Sequence, residues 1–302
     1  MTGSEPDSGS SDSVAKYHAL MLLATALIAM SFPVGAAITH HLDPLVLTLL
    51  RFALAAMLFL PYVAWRHGLP WPGLKGIVRY SIISAGLVGF FSAMFEALRH
   101  TSVLNTATIF TLNPAITALV AGILLKERLQ SSARIALPVG IVGAIWVIFR
   151  GDMSALLALD LGKGDVIFFL GCIGLGSYMP ILKFLHRGEP MAQITFWTLT
   201  TGAGWLLILA APNLGDVVWD DIPGKVWGGI AFLAVFTTLI TFFIFQSSVA
   251  VIGPTKVSSY TYLNPAFVLL IGLGFGETLP PLIVWPGVLV VAGATFILQR
   301  GR

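Results

Sequence analysis

The 302-residue chain is 57% hydrophobic and only 10% Asp, Glu, Lys or Arg, with a formal net charge of +3. A soluble domain carries roughly 25% charged residues, so 17 basic and 14 acidic side chains cannot clothe a water-soluble fold of this length. The mean hydropathy of +0.89 agrees; the composition predicts an integral membrane protein and excludes a two-domain soluble enzyme. Cys172 is the sole cysteine, which leaves no intramolecular disulfide and no Cys-rich metal site. The chain has no G-x-x-x-x-G-K-[ST] loop and no basic stripe, so neither an ATPase domain nor a nucleic-acid partner is expected. No cofactor is implied.

In chain order, residues 1–16 are rich in Ser, Gly and Asp and read as a disordered tail that lacks the basic start of a signal peptide. A helix that crosses roughly 30 Å of hydrocarbon needs about 20 mainly apolar residues. Ten such spans are predicted: 18–39, 43–64, 76–98, 101–124, 131–150, 164–185, 190–211, 225–249, 253–275 and 279–298. The loops are short, and residues 151–163 form the connection between two halves, 17–150 and 164–298, before a short tail at 299–302. The expected fold class is therefore an all-α polytopic membrane protein of ten transmembrane helices, because long continuous apolar runs do not alternate as barrel strands do.

The basic residues orient these spans. Lys16, Arg66, Lys75, Arg79, Lys126, Arg128, Arg134, Lys183, Arg187, Arg300 and Arg302 fall on one side; Arg99, Arg150, Lys163 and Lys225 fall on the other. The positive-inside rule then places both termini in the cytoplasm.

The halves resemble each other. Residues 96–129 and 247–279 each run from small polar residues into Leu-Asn-Pro-Ala, then an apolar stretch, then Glu-x-Leu. Asn113-Pro114 matches Asn264-Pro265 at an offset of 151, and Glu127 matches Glu277 at 150. A weaker echo at 146 links Ser31-Phe32-Pro33 with Ser177-Tyr178 and Asp43-Pro44 with Glu189-Pro190. Five spans per half is an odd number, so the second half enters the membrane inverted, an architecture that recurs in secondary transporters.

Several residues stand out at membrane depth. Pro114 and Pro265 fall mid-span after Asn113 and Asn264, as packed kinks or as hinges between gates; Pro33 and Pro180 let spans one and six bend. Arg51 lies about eight residues into span two, and Lys256 near the start of span nine; each either snorkels to the interface or attracts a substrate carboxylate or phosphate. Glu96 is either a surface partner of Arg99 or a proton-linked gating carboxylate. Tyr178, Trp197 and Tyr260 join apolar bulk to a polar tip, which suits a pocket wall as well as plain packing.

The ordered set of SFPVG in span one, Arg51-Phe52 in span two and the paired Asn-Pro-Ala…Glu-x-Leu endings resembles the EamA family of the drug/metabolite transporter superfamily, over about residues 17–298. The resemblance implies a multi-pass carrier of the bacterial inner membrane, with a central cavity lined mainly by helices one, three, four, six, eight and nine. It implies Phe32, Pro33, Tyr178, Phe242, Tyr260 and Asn264 as cavity neighbours, and helix-end stabilising roles for Glu127 and Glu277. The expected function is a secondary transporter, not an enzyme, exporting a small organic metabolite or amino acid by alternating access. Its expected partners are that solute, membrane lipid and either protons or a counter-solute, in a monomer or weak dimer. A polytopic enzyme acting on lipid and a non-transporting scaffold are the alternatives; the scattered histidines and lone Cys172 offer no catalytic constellation to the first.

Overall fold

The computed structural model describes residues 8–101, 106, 109–127, 131–149, 151–158, 162–274 and 282–300. Among these residues every regular element is helical. Helix α1 spans Ser8–Ile38, α2 Pro44–His67, α3 Gly73–Ala97, α4 Asn113–Leu124 and α5 Ser131–Ile148. After the short α6 (Met153–Leu157) come α7 (Lys163–Leu185) and α8 (Met191–Leu214). Helix α9 (Gly224–Ala234) runs through a π-helical segment, Val235–Ile240, into α10 (Thr241–Ile252). Helix α11 (Pro254–Ser259), a 3₁₀ turn at Tyr260–Leu263, α12 (Asn264–Gly274), a second turn at Leu282–Val284 and α13 (Trp285–Arg300) complete the chain.

Helix boundaries follow local chemistry. Asp43 caps α2, its Oδ1 accepting from the amides of Leu45 and Val46 at 2.9 and 3.3 Å, and Pro44 occupies the first turn where no amide is needed. Gly68, with φ 67°, ends that helix. Asp165 in the first turn of α7 accepts from the Gly162 amide at 2.7 Å. Gly253, with φ 82°, turns the chain between α10 and α11, and Pro254 starts the next helix.

Among the described residues, six helical stretches are long and apolar enough to cross a membrane: Val14–Gly35, Pro44–His67, Gly73–Ala97, Lys163–Leu185, Met191–Leu214 and Gly224–Ile252. Three shorter apolar helices, Asn113–Leu124, Ala133–Val147 and Leu282–Leu298, fall in the predicted spans four, five and ten. Span nine is broken into α11, the 3₁₀ turn and α12. The breaks have a local cause: Pro114 stands in the first turn of α4 and Pro265 in that of α12, so each span is interrupted where a proline removes an amide. Two further departures are the extension of α1 back to Ser8, within the expected tail, and the single turn of α6 within the connection. Glu277 lies outside the described residues.

Helix packing relates the halves. Helix α3 packs on α7 and α1 on α9–α10; α4 packs on α7 and α1 on α12; α2 pairs with α8, α4 with α11 and α5 with α13. Exchanging α1–α5 with α7, α8, α9–α10, α11–α12 and α13 maps each of these pairings onto another or onto itself. The main core joins both halves through Phe52, Phe95, Phe168 and Leu199, all fully buried. A second cluster around Ala118, Ala136, Leu137 and Tyr262 ties α4, α5 and α13 together, where Tyr262 donates to the Leu137 carbonyl at 2.9 Å. Outward-facing positions are apolar as well: Ile123 is 73% and Leu289 71% exposed, a surface matched to lipid rather than water.

Candidate functional site

A cavity lies where the two halves meet, bounded by Ile28 and Ser31 of α1, Arg51 of α2, and Leu87, Phe90, Phe91 and Met94 of α3. Phe110 and Asn113 come from the first half's broken span; Tyr178 and Met179 come from α7. Thr237, Thr241, Phe242 and Phe245 of the α9–α10 stretch and Ser258 and Thr261 close the ring. About 60 Å³ is open to a water-sized sphere, against roughly 300–1,000 Å³ for a small-molecule pocket. The cavity is therefore pinched nearly shut.

Arg51 is its charged element, only 1% exposed. Its Nε donates to Thr238 Oγ1, and its Nη2 donates to the Thr237 carbonyl at 2.9 Å and to Thr237 Oγ1 at 3.0 Å. The guanidinium lies over the Phe91 ring, 4.2 Å from its centroid. Nη1 has no partner. Both threonines belong to the π-helical segment, a departure from α-geometry that recurs at functional sites. A charge at mid-membrane costs about 2.5–3.5 kcal/mol on insertion scales; three neutral acceptors and one ring offset part of that without neutralising it.

Other polar groups are knitted across the seam. Gln246 donates to Tyr178 Oη at 2.7 Å and accepts from Thr195 Oγ1 at 2.5 Å, which locks α7, α8 and α10 together. Asn113 Nδ2 donates to Ser258 Oγ at 3.5 Å, and Thr117 donates to the same hydroxyl at 3.0 Å, while Asn113 Oδ1 has no partner among the described residues. Phe242 meets Phe52, Phe91 and Tyr178 with ring centroids 5.8, 6.0 and 6.4 Å apart.

Of the residues expected at a site, Arg51, Tyr178, Phe242 and Asn113 come together in this cavity, with Pro114 buried directly behind Asn113. The rest sit elsewhere. Trp197 stacks on Tyr80 at 6.3 Å and meets Phe196 and Trp71 edge-on, two turns into α8. Tyr260 shares a 2.6 Å hydrogen bond with His18 Nδ1. Asn264 is buried with both amide atoms unpartnered, yet off the cavity wall. Pro33 is exposed on α1; the side chains of Phe32 and Pro265 lie outside the described residues. Glu96, 39% exposed, pairs with His100 at 3.0 Å and Arg99 at 3.6 Å at the end of α3.

Lys256 lines a separate hollow of about 280 Å³ with Glu127, Lys183 and Gly253, where Lys183 binds Glu127 at 2.8 Å. A hollow of about 540 Å³ at the opposite helix ends is framed by His40, Asp43, Arg99, Asp216 and Asp221. Polar hollows thus lie near both ends of the helix bundle. Sequence reasoning missed Thr237, Thr238, Thr241 and Gln246; the signal was present as hydroxyls and an amide in the apolar run 230–252. It also missed the ion pair of Arg79 with Glu189, which ties α3 to the α7–α8 loop. Burial opposes the Glu189 charge, but the amides of Glu189 and Arg187 and the nearby Arg79 and His186 side chains outweigh it and hold its pKa below the ordinary glutamate value.

Comparison with known proteins accords with this architecture. The model of the EamA-like transporter family matches twice, over residues 15–149 and 162–299. A Bacillus subtilis protein named as the uncharacterized transporter YyaM is 30% identical over 246 residues, covering 80% of each chain. The Escherichia coli biotin transporter is 25% identical over 295 residues, covering 93% of each. A solved crystal structure shares the fold with a TM-score of 0.70 at 17% identity, over 94% of this chain and 97% of that one. The duplicated match, covering nearly the whole chain and both cavity-forming halves, assigns the protein to the EamA-like transporter family, and with it to the membrane transporters.

Proposed function

We propose that the protein is a secondary transporter that moves a small organic solute outward across the bacterial inner membrane by alternating access. The observation that carries this reading is the pinched cavity at the seam of the repeats, with the unpartnered Nη1 of Arg51 in its wall and polar hollows near both ends of the helix bundle. Ten spans in two inverted halves, with both termini cytoplasmic, are the topology that fits it; spans four and nine are then the broken ones. In that orientation the Lys183–Lys256 mouth faces the cytoplasm and the Asp43–Asp216–Asp221 mouth faces outside. Arg51, Tyr178, Phe242 and Asn113 form the solute contacts. Pro33, Pro114 and Pro265 serve the bending of their helices as the mouths open and close in turn.

Flux into and out of proteoliposomes tests this. A panel of amino acids, metabolites and biotin (included because a relative is named a biotin transporter) should contain at least one solute with saturable flux, faster from the cytoplasmic side. No saturable flux for any member would sink the carrier reading. A pH gradient that accelerates wild type but not Glu96→Gln assigns proton coupling to Glu96; equal response in both removes it from that role.

A further inference from the structure

Within that carrier reading, we propose that the transported solute is an organic monocarboxylate with an apolar body and a hydrogen-bond donor, its carboxylate held by Arg51 Nη1 and its donor by Asn113 Oδ1. Arg51 is essentially inaccessible, and its bonding leaves one direction open. Phe91 covers a guanidinium face, Thr238 takes Nε and Thr237 takes Nη2, so Nη1 is the donor edge that remains. Among the described residues no Asp or Glu lines the cavity, so the guanidinium charge has no protein counter-ion there. A carboxylate accepts from such an edge with a charge-assisted bond. The N-terminus of α4, where Asn113 stands, adds its positive dipole end at the same wall.

The charge count sets the class. One guanidinium is neutralised by one negative charge, whereas a dianion would leave an excess in a low-dielectric seam. A zwitterionic amino acid would leave its ammonium facing no carboxylate. The wall hydroxyls of Ser31, Thr237, Thr241 and Thr261 donate to backbone carbonyls, and the stretch made by Leu87, Phe90, Met94, Phe242 and Phe245 suits hydrocarbon or ring better than the outer lone pairs of a bare inorganic anion. Asn113 Oδ1, buried and without a partner among the described residues, accepts one N–H or O–H from the solute body.

Thermal protection of the purified full-length protein, read by differential scanning calorimetry, tests binding apart from transport. The probes are biotin, indole-3-acetate and 4-hydroxyphenylacetate, each beside its primary amide, with phenylacetate as the acid that lacks a donor and sodium chloride, tryptophan and tryptamine as references at pH 7. At least one acid should protect, with its amide at least about tenfold weaker. Arg51→Gln should erase that ratio while the variant still unfolds cooperatively, and Asn113→Leu should weaken donor-bearing acids more than phenylacetate. Should Arg51→Gln fail to fold, the acid–amide ratio on the wild-type protein decides alone. Equal protection by acid and amide, no protection by any acid, or chloride, tryptophan or tryptamine matching the acids overturns the proposal. Acids that bind without crossing proteoliposomes would refute the carrier reading and leave the site standing; saturable flux of neutral or cationic solutes with no acid binding would do the reverse.

Discussion

Gly86 and Gly174 bring two helices from different halves into backbone contact: a Cβ at Gly86 would lie 2.6 Å from the Gly174 carbonyl oxygen, and one at Gly174 would lie 2.9 Å from that of Gly86. Neither obstacle is a side chain that can swing aside. The α3–α7 seam is therefore a tight joint beside Phe90, Phe91 and Tyr178 that has no room for a side chain between the two backbones.

Gly86→Val should destabilise the protein by about 1–3 kcal/mol, the range for overpacking a tight interface. Gly89→Ala, one turn on, meets nothing within 4 Å and should be neutral or stabilising by about 0.4–1 kcal/mol. Thermal unfolding in one detergent distinguishes them; equal shifts would show that the seam is not held by this contact.

Thr238→Val removes the acceptor of Arg51 Nε and keeps the side chain's shape. A hydrogen bond to a charged group is worth about 1.5–3 kcal/mol, so solute affinity or stability should fall accordingly. Thr238→Ser keeps the hydroxyl and should restore most of the loss. Flux and unfolding measured on both variants check this, and a serine variant no better than valine would point to packing by the lost methyl instead.

The Arg79–Glu189 pair gives a pH dependence with a fixed sign. Glu189 has a lower pKa folded than the ordinary value of 4.5, so its contribution to stability is full above about that pH. It fades as pH falls from there through the folded value. Wild type should lose part of its thermal stability across that acid window, and Glu189→Gln should show a smaller change between pH 7 and pH 4. A steeper acid loss in the variant would contradict the pairing.

Particular residues show how far the sequence could be read. Asn113-Pro114 and Asn264-Pro265 were recognisable as a duplicated feature because Pro removes an amide wherever it stands. How sharply they interrupt a span depends on the preceding turn, and in the second half that turn is the 3₁₀ segment Tyr260–Leu263. Tyr178 and Trp197 were equal candidates by chemistry, yet one faces the seam and the other stacks on Tyr80. A span apolar on every side carries no stripe to say which face is inward. Thr237 and Thr238 were visible as hydroxyls in an apolar run, but their meaning depends on Arg51, 186 and 187 residues away in sequence.

Composition alone determined the solvent: so few charges over so many apolar residues require lipid around the helices, and the duplicated Asn-Pro segments marked two related halves. Only the tertiary structure decided that Arg51 is enclosed at their seam with Nη1 unpartnered and no carboxylate among the described residues beside it. Hydrophobicity is summed along the chain, whereas the surroundings of a buried charge are set by which helices pack against it.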